Sequence, residues 1–333
     1  MTLDIFFKLL VLIAVVGAGW YAGRTSLMAG PEPVKAFSTL AFYLLIPALL
    51  FRSMATVDLD HLPWATLVAF FGPTMLWVLL VYAAHRWYQP KPVLAQASAI
   101  DDSQRQAAAP AARSMMCSFG NTVQVGLPLA ASLFDNAGLA IHVAIISLHA
   151  LTLLTVATIL AEADMARARN AVVGSNLWGT VKQTLRNTLI HPVILPVVAG
   201  LCWGLAELPV PQPMDEALRL LASGVVPLCL VMIGLSLAHH GIEGYARVAV
   251  ACTVGKMLVM PAVVLVVAHW GLGVSGLPLT VIVLAASLPT GSNALLFAQR
   301  YQTQVPQATA TIVVGTVAFA ALAPMWLQIL SML

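Results

Sequence analysis

Ser118-Phe119-Gly120-Asn121-Thr122-Val123-Gln124-Val125-Gly126-Leu127-Pro128 interrupts an otherwise apolar segment, and it is composed as a helix that has to break. Gly120, Gly126 and Pro128 are poor helix-interior residues, and Pro128 has no N–H to donate. Asn121, Thr122 and Gln124 put side-chain polar groups where backbone hydrogen bonds would be lost. A second such stretch, Leu288-Pro289-Thr290-Gly291-Ser292-Asn293, interrupts another apolar segment near the far end. In lipid, irregular backbone survives only where protein buries it or where it lines a watery cavity. Two interrupted segments in corresponding positions of two halves point to a transporter's binding site.

Composition supports the membrane setting. Of 333 residues, 60% are hydrophobic and only 9% charged, with mean hydropathy +0.91, which excludes a soluble domain with a charged surface and leaves an all-α polytopic membrane protein. The net charge of +3 is spread over connections, so there is no contiguous patch for nucleic acid. Cys117, Cys202, Cys229 and Cys252 fall inside predicted spans without a C-x-x-C pair and read as small apolar packing residues, indicating neither a disulfide framework nor a metal site. The first apolar run contains Lys8 and lacks a basic n-region, so it reads as a span and not as a signal peptide.

Windows of about 20 apolar residues give ten spans, at roughly 4–23, 35–54, 63–86, 113–134, 137–161, 188–206, 216–238, 246–268, 275–298 and 305–331. The basic residues fall mostly in the odd-numbered connections: Arg24 and Lys35; Arg86, Lys91, Arg105 and Arg113; Arg167, Arg169, Lys182 and Arg186; Arg247; and Arg300. The opposite side holds Lys8, Arg52 and Arg219, which puts the odd connections in the cytoplasm and both termini outside. Five spans in 1–161, a cytoplasmic linker at 162–187 and five spans in 188–333 force two related halves into opposite orientations, an inverted repeat. Spans 4 and 9, the two broken helices, then correspond and cross. The connection at 89–112 reads as a second solvated cytoplasmic linker. Gly19-x-x-x-Gly23 and Gly200-x-x-x-Gly204 would let spans 1 and 6 approach a neighbour closely.

Enzyme signatures are absent: there is no H-E-x-x-H, no G-x-S-x-G and no P-loop, and no cofactor is indicated. The acidic residues sit at span ends or in connections, whereas a cation-coupled carrier of the usual kind needs a carboxylate deep in the membrane. The centre suits an anion instead. Breaking after Gly126 to Pro128 and again after Pro289 would aim two half-helix N-termini at the midplane, each with a partial positive charge. Asn121 and Asn293 offer amide donors to a carboxylate, and Thr290 or Ser292 could cap the second half-helix. The expected substrate site is thus Asn121, Thr122, Gln124, Gly126, Pro128, Pro289, Thr290, Gly291, Ser292, Asn293 and Lys256. Lys256, deep in span 8, either contributes positive charge to the site or tethers carbonyls freed by the breaks. His149 reads as a packed hydrogen-bonding residue, and Arg52 and Arg219 as interfacial and structural.

Asn121-Thr122-x-x-x-Gly126-x-Pro128, Leu288-Pro289-x-Gly291 running on to Phe297-Ala298 and Tyr301, and Ile46-Pro47-Ala48-Leu49-Leu50-Phe51 together resemble the auxin efflux carrier family. The resemblance covers essentially the whole chain. It implies a scaffold and dimer contact made of spans 1, 2, 6 and 7, and a moving transport unit made of spans 3 to 5 and 8 to 10. It also implies a substrate at the crossing and residence in the bacterial inner membrane. Bacterial relatives of that kind carry malonate, malate or similar organic anions, with coupling to H+ or Na+ open, and plant members export indole acetic acid. The long hydrophilic fifth connection of many plant members is absent here. A sodium-coupled bile-acid-like symporter or a non-transporting membrane sensor that keeps the ligand site would be the alternatives.

Overall fold

The computed structural model describes residues 3–25, 28–56, 63–88, 104–134, 136–173, 194–240 and 244–333. Among them every regular element is helical, and the only β pairing is one isolated bridge. Six helical runs among the described residues are long and apolar enough to cross a bilayer: Glu32–Ala55, Trp64–Tyr88, Ala137–Ala168, Gln212–His239, Ala246–Gly271 and Val305–Leu330. Each overlaps a predicted span. Predicted spans 1 and 6 contain α1 (Leu3–Arg24) and α8 (Ile194–Leu205), while the fourth and ninth are each divided.

Proline dictates much of the local geometry. Span 2 is α2 (Pro31–Leu40), a π turn at Ala41–Leu45 and α3 (Ile46–Ala55); α4 is Trp64–Tyr88. The predicted span 4 holds α5 (Ala109–Met116), the break, a π turn at Thr122–Gly126 and α6 (Leu127–Leu133). Then come α7 (Asn136–Val173), α8, α9 (Gln212–Ser223) and α10 (Val225–His240). Span 8 is α11 (Ala246–Val254), a π turn at Gly255–Val259 and α12 (Met260–Leu265), with a further π turn at Val266–Gly271. The predicted span 9 holds α13 (Gly276–Ser287) and α14 (Ser292–Arg300), and α15 is Val305–Leu330. Three of the π turns end two residues before a proline: Pro47, Pro128 and Pro261. A proline inside a helix offers no N–H to the carbonyl four residues back and its ring presses on it. One extra residue in the preceding turn moves that carbonyl aside.

Helix pairs build the frame. α1 packs along α10, and α8 along α3. A Cβ on Gly19 would overlap the Val231 carbonyl, and one on Gly200 the Phe51 carbonyl, so both small-residue motifs hold their helix against a neighbour's backbone. Three expectations change. α7 continues as one helix through Val173, so the first part of the predicted 162–187 linker extends span 5; residues 174–187 lie outside the described ones. Ala108–Ala112, placed in a solvated connection by composition, are buried, because small alanines let α5 sit within the bundle; 89–103 lie outside the described residues. Finally, Glu162 and Asp164 fall within a spanning run, not beyond it. Both are held at its far end: Tyr301 donates to Glu162 at 3.2 Å, and Asp164 takes Tyr82 at 2.5 Å and Arg86 at 2.9 Å.

Candidate functional site: two broken helices joined through their backbones

The two interruptions meet. Asn121 N–H donates to the Pro289 carbonyl at 2.8 Å, Gly291 N–H donates to the Phe119 carbonyl at 2.8 Å, and Gly120 and Thr290 form an antiparallel bridge. Each break thus supplies the other's missing hydrogen bonds, as buried backbone requires. A Cβ on Gly291 would lie 3.0 Å from the Gly120 carbonyl oxygen, so the approach depends on glycine.

The first break falls at Phe119–Asn121, several residues before its expected place at Gly126–Pro128. Pro128 does not end the helix, because the π turn at Thr122–Gly126 absorbs it: Gly126 N–H reaches back five residues to the Asn121 carbonyl at 3.0 Å. The second half-helix of span 4 therefore starts at Thr122.

Neighbouring helices take up what remains. Trp77 of α4 donates to the Cys117 carbonyl at 2.8 Å, and Thr290 to the Met116 carbonyl at 2.8 Å. Thr290 is thereby directed away from α14, whose N-terminus at Gly291 carries no side-chain cap. From α7, His149 Nε2 accepts Gly120 N–H at 3.1 Å and His142 Nε2 donates to the Thr122 carbonyl at 3.0 Å. Since Nε2 of His149 is an acceptor, the proton of the neutral ring is on Nδ1, which has no partner among the described residues. Lys256 is fully buried and its ammonium donates to the Ala286 carbonyl at 2.5 Å. Ala286 is in the last turn of α13, where carbonyls lose their helical partners. The carbonyl that Pro261 leaves unmatched, Met257, accepts from Trp326 at 2.8 Å.

A cavity of about 350 Å3 lies against the paired breaks. Asn121, Thr122, Gly291, Ser292 and Asn293 line it, together with His149 and, on the facing wall, Ser53 of α3 and Arg219 of α9. Leu49, Leu50, Val123, Ile146, Val225 and Val226 make the rest of the wall largely apolar. Arg219 is the one charged residue among the described lining residues, and no carboxylate is among them. Of the expected site, Gly126 is a packing position, where a Cβ would meet Leu288 at 2.6 Å and His142 at 2.7 Å. Pro289 contributes its carbonyl to the joint, and Thr290 and Lys256 stand behind it. The side chains of Gln124 and Pro128 lie outside the described ones. Sequence reasoning missed His142, although its spacing of seven from His149 puts both on one helix face. Arg219, read as interfacial and structural together with Arg52, also lines this cavity, while Arg52 pairs with Asp215 at 2.7 Å.

The family model described as "Membrane transport protein" matches residues 103–327. Over 287 residues, 86% of this chain and 83% of the relative, the chain is 22% identical to a protein of Rhizobium meliloti (strain 1021) named "Putative malonate transporter". Over 139 residues, 42% of this chain and 44% of the relative, it is 27% identical to the "Uncharacterized transporter YfdV" of Escherichia coli (strain K12).

Proposed function

The chain belongs to the membrane transport protein family, the auxin efflux carrier type, and from that premise we propose that it is a secondary carrier of small organic anions working by alternating access. Membership makes it a transporter and not an enzyme. The observation that carries the anion reading is the cavity wall: amides and hydroxyls of Asn121, Ser292 and Asn293, the uncapped N-terminus of α14 and the Arg219 guanidinium, with no carboxylate among the described lining residues. Donors without an opposing negative charge favour a carboxylate. The absence of acidic ligands there weighs against a sodium-coupled symporter.

In this reading ten spans form a 5+5 inverted repeat and the two broken helices cross at the substrate. Pairing of span 1 with span 7, and of span 6 with span 2, supports that symmetry. Spans 1, 2, 6 and 7 form the scaffold, and the other six carry the joint. The cavity walls come from both groups, α3, α9 and α10 on one side and the breaks with α7 on the other, as a moving unit against a fixed frame requires. Lys256 acts as the cation that holds the end of α13, and Arg219 meets the substrate charge. The name borne by the Rhizobium relative makes malonate the first compound to try.

Uptake of labelled mono- and dicarboxylates into proteoliposomes, with pH and sodium gradients imposed separately, tests the proposal. The expected result is saturable uptake of at least one carboxylate, inhibited by unlabelled malonate or a close analogue. Flux of a cation that is indifferent to every carboxylate would overturn it.

A further inference from the structure

A second cavity, of about 550 Å3, lies at the other end of the same two spans. Lys35 and Tyr43 line it from the start of span 2 and His239 from the end of span 7, whereas Ser53 and Arg219 line the first cavity from the opposite ends of those spans. Eighteen residues of helix separate Lys35 from Ser53, roughly 27 Å at the α-helical rise. The facing wall is the end of α14, with Gln299 and Arg300, and the turn to α15, with Gln302.

Its chemistry is one-sided. Lys35, Arg300 and His239 supply an ammonium, a guanidinium and an imidazole around one space, and no carboxylate is among the described lining residues. Glu32, the acid nearest to Lys35 in sequence, is exposed and does not line it. Arg300 Nη1 donates to the Tyr43 hydroxyl oxygen at 2.7 Å, which leaves the phenol proton to donate elsewhere. Both amide atoms of Gln299 are buried and have no hydrogen-bond partner among the described residues, and a rotamer change that lets Nε2 donate to a bound oxygen relieves the nitrogen's share of that cost. Gln302 and Gln304 both take left-handed backbone, φ 49° and 53°, two of only three such non-glycine residues among the described ones. Strain of that kind persists where the surroundings over-determine it. Tyr43 is 55% exposed, and its neighbours Leu40 and Leu44 are 44% and 47% exposed near the middle of a spanning helix, so an apolar flank runs from the cavity, while Lys35 at the start of the span stands at headgroup depth.

We infer that this cavity binds the phosphate group of an anionic ligand, a phospholipid headgroup or a soluble phosphate compound, between Lys35 and Arg300. Two cations of different geometry around several further donors fit a group with three oxygens and more than one lone-pair direction. Binding needs nothing of the transport reading. Its consequence does: Lys35 belongs to the scaffold, and Arg300 ends the helix whose first residues line the substrate cavity, so an occupant ties the two units together and slows their exchange.

Thermal stability of the purified full chain, titrated with phosphatidylglycerol, phosphatidylcholine or inorganic phosphate, is the test. Phosphatidylglycerol is expected to raise Tm at concentrations where phosphatidylcholine does not, and Lys35→Gln and Arg300→Gln each to raise the half-maximal concentration about five-fold. Stabilisation by inorganic phosphate alone, lost in the same variants, assigns the soluble source. Lys35→Glu, at an exposed side chain, keeps the test open if removing Arg300, which also holds Tyr43, unfolds the protein. Asn121→Ala is expected to keep the full response, which separates this site from the substrate site. Equal shifts with both lipids and none with phosphate, or an unchanged response in the lysine variants, would overturn the inference.

Discussion

At the scale of single residues, the joint's polar groups divide into those that complete the backbone and those that line the cavity. Thr290, Trp77, His142, His149, Lys256 and Trp326 each meet a named backbone group, so removing one is a matter of stability. Asn121, Ser292, Asn293 and Arg219 line the cavity. Asn121→Ala and Asn293→Ala are accordingly expected to fold and to lose substrate affinity. A hydrogen bond to a charged group is worth about 1.5 to 3 kcal/mol, roughly ten- to a hundred-fold in Kd. Normal binding in both variants would remove the site from this cavity. Arg219→Gln should weaken a dianion more than a monoanion, because Coulomb energy follows the product of charges, and the difference should shrink with added salt because the residue is exposed. Lys256→Met behaves differently. It leaves the Ala286 carbonyl without its donor, so Tm falls with or without ligand by the equivalent of about 1 to 3 kcal/mol, while affinity changes little. A lost preference for dianions at unchanged Tm would instead put the ammonium in contact with substrate.

At the scale of elements, proline placement explains both what could be read in advance and what could not. Gly120, Gly291 and Pro289 mark real interruptions, and the polar residues beside them line the cavity as expected. Pro128 misled, since it reads as a break and is accommodated by a π turn. Pro47 and Pro261 also follow π turns, yet Pro73 and Pro324 sit in α4 and α15 without one. Nothing in their flanking residues separates the two outcomes. Which side chain completes a broken turn was equally hidden, because the partner comes from another helix: Trp326 is 69 residues from Met257 in sequence. That Arg219 lines the cavity was hidden for the same reason, its depth along the chain being visible but not the wall it faces. The link between Pro261 and Trp326 is measurable. Trp326→Phe strands the Met257 carbonyl and should cost about 1 to 3 kcal/mol in unfolding free energy. In a Pro261→Ala background the restored N–H can take that carbonyl, so the same change should cost less. Additive effects, within about 0.5 kcal/mol, would mean that the tryptophan serves another purpose.

At the scale of the whole molecule, two cavities occupy opposite ends of spans 2 and 7, with the paired breaks bordering the first. Residues of predicted connections 1, 7 and 9 gather at one cavity, and Arg219 beside the Arg52–Asp215 pair stands at the other, as the charge bias of the sequence requires of two membrane faces. A single cysteine placed between 89 and 103 should then react with an impermeant thiol reagent only after cells are opened; labelling of intact cells would reverse the orientation. Alternating access makes the stronger demand that one site be reached from both faces in turn. Val123 lines the cavity at the joined breaks, is 43% exposed and is assigned no donor role, which makes Val123→Cys in a cysteine-free background a reporter that leaves the proposed ligand groups in place. The decisive measurement is its modification by an impermeant thiol reagent added separately to each face of sealed proteoliposomes, with and without the carboxylate that competes best for uptake. The expected result is modification from either face, slowed by that carboxylate in both cases. Reaction from one face only, or no protection by any carboxylate, would contradict a carrier that presents an anion site at the joined breaks to each side in turn.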